Sequence, residues 1–426
     1  MSQRNPHKWQ FRARFRRHVF GWKSQPAITR IREAVSEIKQ VARRDKALAA
    51  EGAVLFLEKL SPAIEHVDSS SGAIGTAVNK AIDTLAGIIA DAPVDALTRE
   101  KWLERLYQAH ADDAIPYLEL LGDYWGDLCA SRELASQWAN HLLGITRMAL
   151  GRDGDRPVHH HGAIMCLSSL YTAQRYDELL DLVSEQTLWH YRGWGARALA
   201  ARGDSAEAIR YAEQSRSAWS SDLAIDRFCE ETLLASGFVD EAYARYGLRA
   251  NRASTYKAWF RAVGKKYSQK EPAAILHDLV RITPGDEGKW FAAAKDAGIF
   301  DEAIALANRS PCSPQTLTRA ARDYRVKNPA FAVEAGLAAL RWLAAGYGYD
   351  ITSADVYAAC EYTLEAADHA GTGAETEHRV REIAAEDGQR WAAAIRHCTG
   401  GILRFGGSWT SDSERLGSIV AAVAQA

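Results

Sequence analysis

Apolar residues recur along this chain at three- and four-residue steps, and no convincing run shows the two-residue step of a half-buried strand. Ile28, Ile31, Val35 and Ile38 form the first such stripe. Pro26 suits the first turn of that helix, with Ser24 nearby as a cap. A second helix is expected from Lys46 to about Leu60, where Pro62 disturbs its continuation. Asp68 to Gly72 reads as a loop and helix start, and Ala73 to Ala90 as helix. Further helices are expected over 98–110, 113–129 and 133–150, and these first six show no mutual repeat. The turn-rich stretch from Gly151 to Val158 is the expected internal boundary.

Beyond that boundary a phrase recurs. Gly203 to Ala208, Gly237 to Ala242 and Gly298 to Ala303 all read G-x-x-x-E-A, each after one Ala-rich helical run and before another. Gln174 to Leu179 fills the same slot without the glycine. The steps between copies are 29, 34 and 61 residues, the last being room for two units. The disguised unit pairs a helix over 255–267 with one opened at Pro272, and another pairs 315–327 with a helix opened at Pro329. A last pair is expected over 353–370 and 375–386, then an irregular Gly-rich stretch over 400–413 with Trp409, and a short helix from Leu416.

The phrase has a physical reading. Glycine after a helix takes the left-handed conformation that ends it. The next Asp or Ser is then placed to cap the following helix, and Glu suits its first turn. The small Ala lets two helices approach closely. A hairpin of about 30–34 residues cannot bury its apolar face alone, so neighbours stack.

The stretch from Gly195 through Gly203, Glu207 and Ala208 resembles one tetratricopeptide repeat. Gly195 stands at the small position of the first helix, Gly203 at the turn and Ala208 at the small position of the second. The unit at Gly298 is similar through Glu302, Ala303 and Ile304, and the resemblance covers roughly 160–345. It implies an α-solenoid that binds peptides or other proteins on a concave face.

Composition narrows the class. Apolar residues at 47% suffice for a core, and charged residues at 25% are ordinary for a soluble chain. Six scattered cysteines, none in a C-x-x-C, read as buried thiols in a reducing compartment. No apolar run of 18 residues and no secretory leader are visible, so a cytoplasmic protein without a transmembrane segment is expected.

Charge is unevenly spread. Residues 1–32 carry nine Lys or Arg and no acid, leaving the rest of the chain at −11. Within this arm Lys8, Arg12, Arg14, Arg16 and Arg17 are candidates for phosphate contact, interleaved with Trp9, Phe11, Phe15, Phe20 and Trp22. If the arm is helical, Phe11, Phe15, Val19 and Trp22 share a face, which also suits a membrane surface or docking on the chain's own body.

Other clusters carry weaker chemistry. His159, His160 and His161 point about 100° apart on a helix and do not converge on one metal ion. The hydroxyl-rich helix start at Asp68–Thr76 lacks the Lys of a phosphate loop. Pro284 to Trp290 is too short for one and reads as a turn. Trp189, Tyr191, Arg192 and Trp194 are dense enough to line a groove for a peptide.

The expected architecture is all-α: a basic arm (1–24), an irregular helical region (25–150), a helical-repeat region (159–390) stacked into a curved solenoid, and an irregular end (391–426). The expected function is a non-catalytic scaffold that binds a protein or peptide on the concave face, with no cofactor or metal. A nucleic-acid- or polyanion-associated protein using the arm is the alternative, and an enzyme with a site between the helical regions is a third.

Overall fold

A computed structural model describes residues 7–150, 162–217, 221–385 and 391–399. Every regular element among them is helical, and the chain divides into two units, Met1–Phe238 and Val239–Ala426. The first unit holds α1 (Gln10–Arg14), α2 (Ser24–Ala42), α3 (Lys46–Ile64), α4 (Ala73–Ala90), α5 (Ala96–Ala111), α6 (Trp125–Cys129), α7 (Arg132–Leu150), α8 (Ala163–Thr172), α9 (Tyr176–Val183), α10 (Trp189–Ala201), α11 (Ser205–Glu213) and α12 (Asp222–Ala235). The second holds α13 (Val239–Ala242), α14 (Leu248–Ala250), α15 (Tyr256–Lys266), α16 (Pro272–Arg281), α17 (Phe291–Asp296), α18 (Phe300–Arg309), α19 (Pro314–Tyr324), α20 (Pro329–Ala344), α21 (Ser353–Ala370), α22 (Gly373–Ile383) and α23 (Ala392–Thr399). Within each unit most helices pack on their chain neighbours, so the expected all-α, tetratricopeptide-like hairpins are present. The boundary at Gly151–Val158, the histidines at 159–161, Trp409 and the final helix lie outside the described residues.

The recurring phrase is a helix ending with one backbone geometry. Gly203, Gly237 and Gly298 have φ of 93°, 82° and 77°. At each, the glycine N–H donates to the carbonyl three residues back, and the N–H of the next residue donates to the carbonyl five residues before itself. Gln174 makes the same pair of bonds at φ 59°, and so do Gly346 and Gly371 farther along. This double bond is the Schellman ending. The alanine of the phrase is buried in all three full copies, at Ala208, Ala242 and Ala303. At Gly195 an added Cβ would sit 3.0 Å from Val183 of α9 and from the Tyr211 hydroxyl of α11, so that position is small because two helices converge there.

The expected side-chain caps after the phrase are not made. Asp204 precedes α11 without a side-chain cap bond, at ψ 53°, while Arg175 and Ile299, before α9 and α18 at ψ 57° and 68°, have no side-chain acceptor to cap with. Capping needs extended backbone, and each of these residues also closes the Schellman turn behind it. Where the backbone is free to extend, caps form: Asp45 accepts from Leu48 N, Asp95 from Thr98 N, and Thr352 makes a capping box with Asp355.

Three further expectations shift. The helix of Lys46 runs to Ile64 with Pro62 inside its last turn, where the lost N–H removes one bond near an end. Residues 113–118 are not helical: Pro116 disfavours helix before it, and Asp113 instead accepts from the Ser61 hydroxyl and from Leu118 N. Helix α4 has the length and apolarity to cross a membrane, yet Ile74, Val78, Ile82, Leu85 and Ile89 face the core of the first unit.

Candidate interaction surfaces

The basic arm is folded onto its own unit by its aromatic residues. Trp9, Phe11 and Phe15 are almost fully buried. Both phenylalanine rings meet Phe56 of α3 edge-on, at centroid distances of 5.5 and 5.0 Å. Trp9 lies on Gly52, where an added Cβ would fall 2.2 Å from the indole. Glu37 of α2 accepts from the N–H groups of Gln10 and Phe11 at 2.8 and 3.2 Å, a carboxylate at the positive end of α1. The helix stops at Arg14, so the expected aromatic stripe ends there, with Val19 45% and Trp22 72% exposed.

That packing leaves the cations outside. Lys8, Arg12, Arg14, Arg16 and Arg17 are all exposed. Arg14 pairs with Glu33 at 2.9 Å, Arg16 Nε donates to the Ala13 carbonyl, and Arg17 Nε donates to His18. Among the described residues, Lys8, Arg12, Arg16 and Arg17 have no carboxylate partner.

The aromatic segment at 189–194 forms the start of α10, and its four candidate residues take different roles. Trp194 is 4% exposed, with Tyr171 beside it and Arg197 over its ring at 4.6 Å. Arg192 donates to Ser215 Oγ at 2.6 Å and lies 3.8 Å over the Tyr211 ring, joining α10 to the end of α11. Trp189 and Tyr191 are half-buried, Trp189 against Phe228 of α12 at 5.7 Å.

A third surface escaped the sequence reading. Helices α2 and α4 border a groove of about 820 Å³. Ile28, Ile31, Val35, Ala77 and Ala81 provide apolar lining, and Arg32, Lys39, Arg43 and Lys80 are its charged residues. No Asp or Glu lines it, and none of the four cations makes an ion pair among the described residues. Arg32, Ser36, Lys39 and Arg43 follow at i, i+4, i+7 and i+11, one stripe along α2.

A smaller recess of about 330 Å³ lies between α1 and α2 and shares Ser36 and Gln40 with the groove. Its cations differ in one respect: Glu33 takes both Arg14 and Arg30, at 2.9 and 2.6 Å. The ridge of α2 therefore separates neutralised positive charge from charge left open. The signal for the open side was the absence of any acid among Arg32, Ser36, Lys39, Gln40 and Arg43.

The thiols of Cys129, Cys166 and Cys312 are buried. Burial pushes the thiols of Cys129 and Cys312 up to about 12 and that of Cys166 to about 11, far from a reactive thiolate. No group of three His, Cys, Asp or Glu among these residues is placed to hold a metal ion. Arg99 is buried without a carboxylate partner and donates to the carbonyls of Ile89, Ala92 and Leu128, closing the end of α4.

No family model and no curated protein matches the chain. The solved structure titled "Crystal structure of APC/C hetero-tetramer Cut9-Hcn1" is similar over 87% of this chain and 82% of that one, at 13% identity and a TM-score of 0.21. A score that low leaves the hairpin fold resting on the chain's own turns and packing.

Proposed function

We propose that the chain is a non-catalytic scaffold that holds a protein or peptide partner against exposed helix faces, in the cytoplasm. The observation that carries this reading is the α2/α4 groove, an elongated recess with an apolar lining and unpaired cations. Apolar contact flanked by orienting charge is the usual chemistry of a protein interface. In the second half of the first unit, Trp189 and Tyr191 are the residues of the 189–194 segment we assign to partner contact; Trp194 and Arg192 hold α10 in place.

The exposed Lys8, Arg12, Arg16 and Arg17 favour a second reading, association with nucleic acid or another polyanion. Deleting the arm does not separate the two, because Trp9, Phe11 and Phe15 are part of the core. Replacing the four cations by Gln does. Affinity capture from the native cell is expected to return the same protein partner with wild-type and arm-neutralised chain, before and after nuclease treatment. Loss of all partners on nuclease treatment, or on neutralisation, supports the polyanion reading instead.

A further inference from the structure

The α2/α4 groove has a specific charge problem. Arg32, Lys39 and Arg43 lie on one side and Lys80 on the other, with no acid in the lining to answer them. Acids do occur on α2, but Glu33 and Glu37 are engaged with Arg14, Arg30 and the start of α1. The groove's own Thr76 and Thr84 hydroxyls donate to the carbonyls four residues back, of Gly72 and Lys80, at 2.9 and 3.0 Å. The positive charge is therefore left for something outside the unit.

Between the cations, Val35 and Ala77 offer the apolar surface, with Ile28 and Ile31 buried beneath them, and no aromatic residue lines the groove. The absence of an aromatic in the lining decides between polyanions. A single-stranded nucleic acid gains affinity by stacking bases on aromatic side chains; of the arm's aromatics Trp9, Phe11 and Phe15 are buried, and the exposed Trp22 does not line the groove. An acidic polypeptide with apolar residues matches both features: carboxylates to the cations, apolar side chains to the aliphatic lining. From Arg32 to Arg43 the stripe spans about 16 Å, the length of about three helical turns.

We propose that the α2/α4 groove receives an acidic amphipathic segment of a partner protein. The proposal rests on the scaffold reading and specifies its partner. Carboxylates at three- and four-residue steps meet Lys39 and Lys80 across the groove, and the segment's apolar face covers Val35 and Ala77.

The test is fluorescence anisotropy on the full chain with labelled peptides of about four helical turns. One peptide alternates Leu and Glu faces, a second has Gln for every Glu, a third has Ser for every Leu, and the fourth probe is an oligothymidylate. The Leu/Glu peptide is expected to bind, to weaken with added salt, and to lose about tenfold or more in affinity for the Lys39→Glu/Lys80→Glu chain. The Gln and Ser peptides are expected to bind at least about tenfold more weakly than the Leu/Glu peptide. Circular dichroism checks the fold of that variant, and Lys39→Gln/Lys80→Gln replaces it if the reversal unfolds the chain.

Equal binding of the Gln peptide, no effect of either substitution pair in a folded chain, or no binding of the Leu/Glu peptide overturns the proposal. So does oligothymidylate that binds as tightly and depends on the same lysines. A partner that survives nuclease in affinity capture leaves the scaffold reading standing in any of these cases, since that capture also reports a partner held elsewhere, as at Trp189 and Tyr191.

Discussion

Gln174 sits at φ 59° with an exposed side chain and no side-chain hydrogen bond, in a turn where other copies use glycine. A residue with a Cβ is strained there by about 1–2 kcal/mol, while glycine loses more backbone entropy on folding. Strain exceeds entropy, so Gln174→Gly is expected to stabilise the chain by about 0.5–1 kcal/mol. A rise in the thermal midpoint checks this, and an unchanged or lower midpoint contradicts it. The slot was legible in the sequence because Glu178 and Leu179 keep the phrase after the glycine is gone. The missing cap at Asp204 was not legible, because it depends on a ψ set by the turn before it.

Elements pair through contacts that composition alone does not order. Tyr256, the first residue of α15, donates to Asp286 in the link before α17, and Lys289 pairs with the same carboxylate at 2.7 Å. The hydrogen bond from Lys289, followed by that from Tyr256, holds the Asp286 pKa below its ordinary value. A lowered folded pKa gives stability that is present above the unfolded value and lost as pH falls through the folded one. Asp286→Asn is therefore expected to lower the urea midpoint at neutral pH, with the gap to wild type closing as pH drops below about 4. A gap that stays constant with pH contradicts the assignment.

The arm and α2 show the same limit from the other side. Seven cations without an acid marked the arm (1–24) from sequence, yet Trp9, Phe11 and Phe15 join the core and Glu37 accepts at the start of its helix. By spacing alone, Arg32, Lys39 and Arg43 are a charged stripe on one face of a helix. It becomes one side of a groove only when α4 brings Lys80 alongside, about forty residues later. The hairpins were legible because their turn chemistry is local; the groove was not, because it forms between helices distant in sequence.

At the scale of the whole molecule, the proposed polypeptide site is one face of the first unit, the α2/α4 groove. The second unit is described by its own core around Trp290, Phe291 and Tyr267. The most direct measurement is site-specific photo-crosslinking in the native cell. A photoreactive residue replaces Thr76, which lines the groove, or Asn79, which is exposed on the same helix outside it. The account predicts a defined polypeptide adduct from position 76 that is absent from position 79 and lost with Lys39→Glu. No adduct from position 76, or the same adducts from both positions, would contradict it.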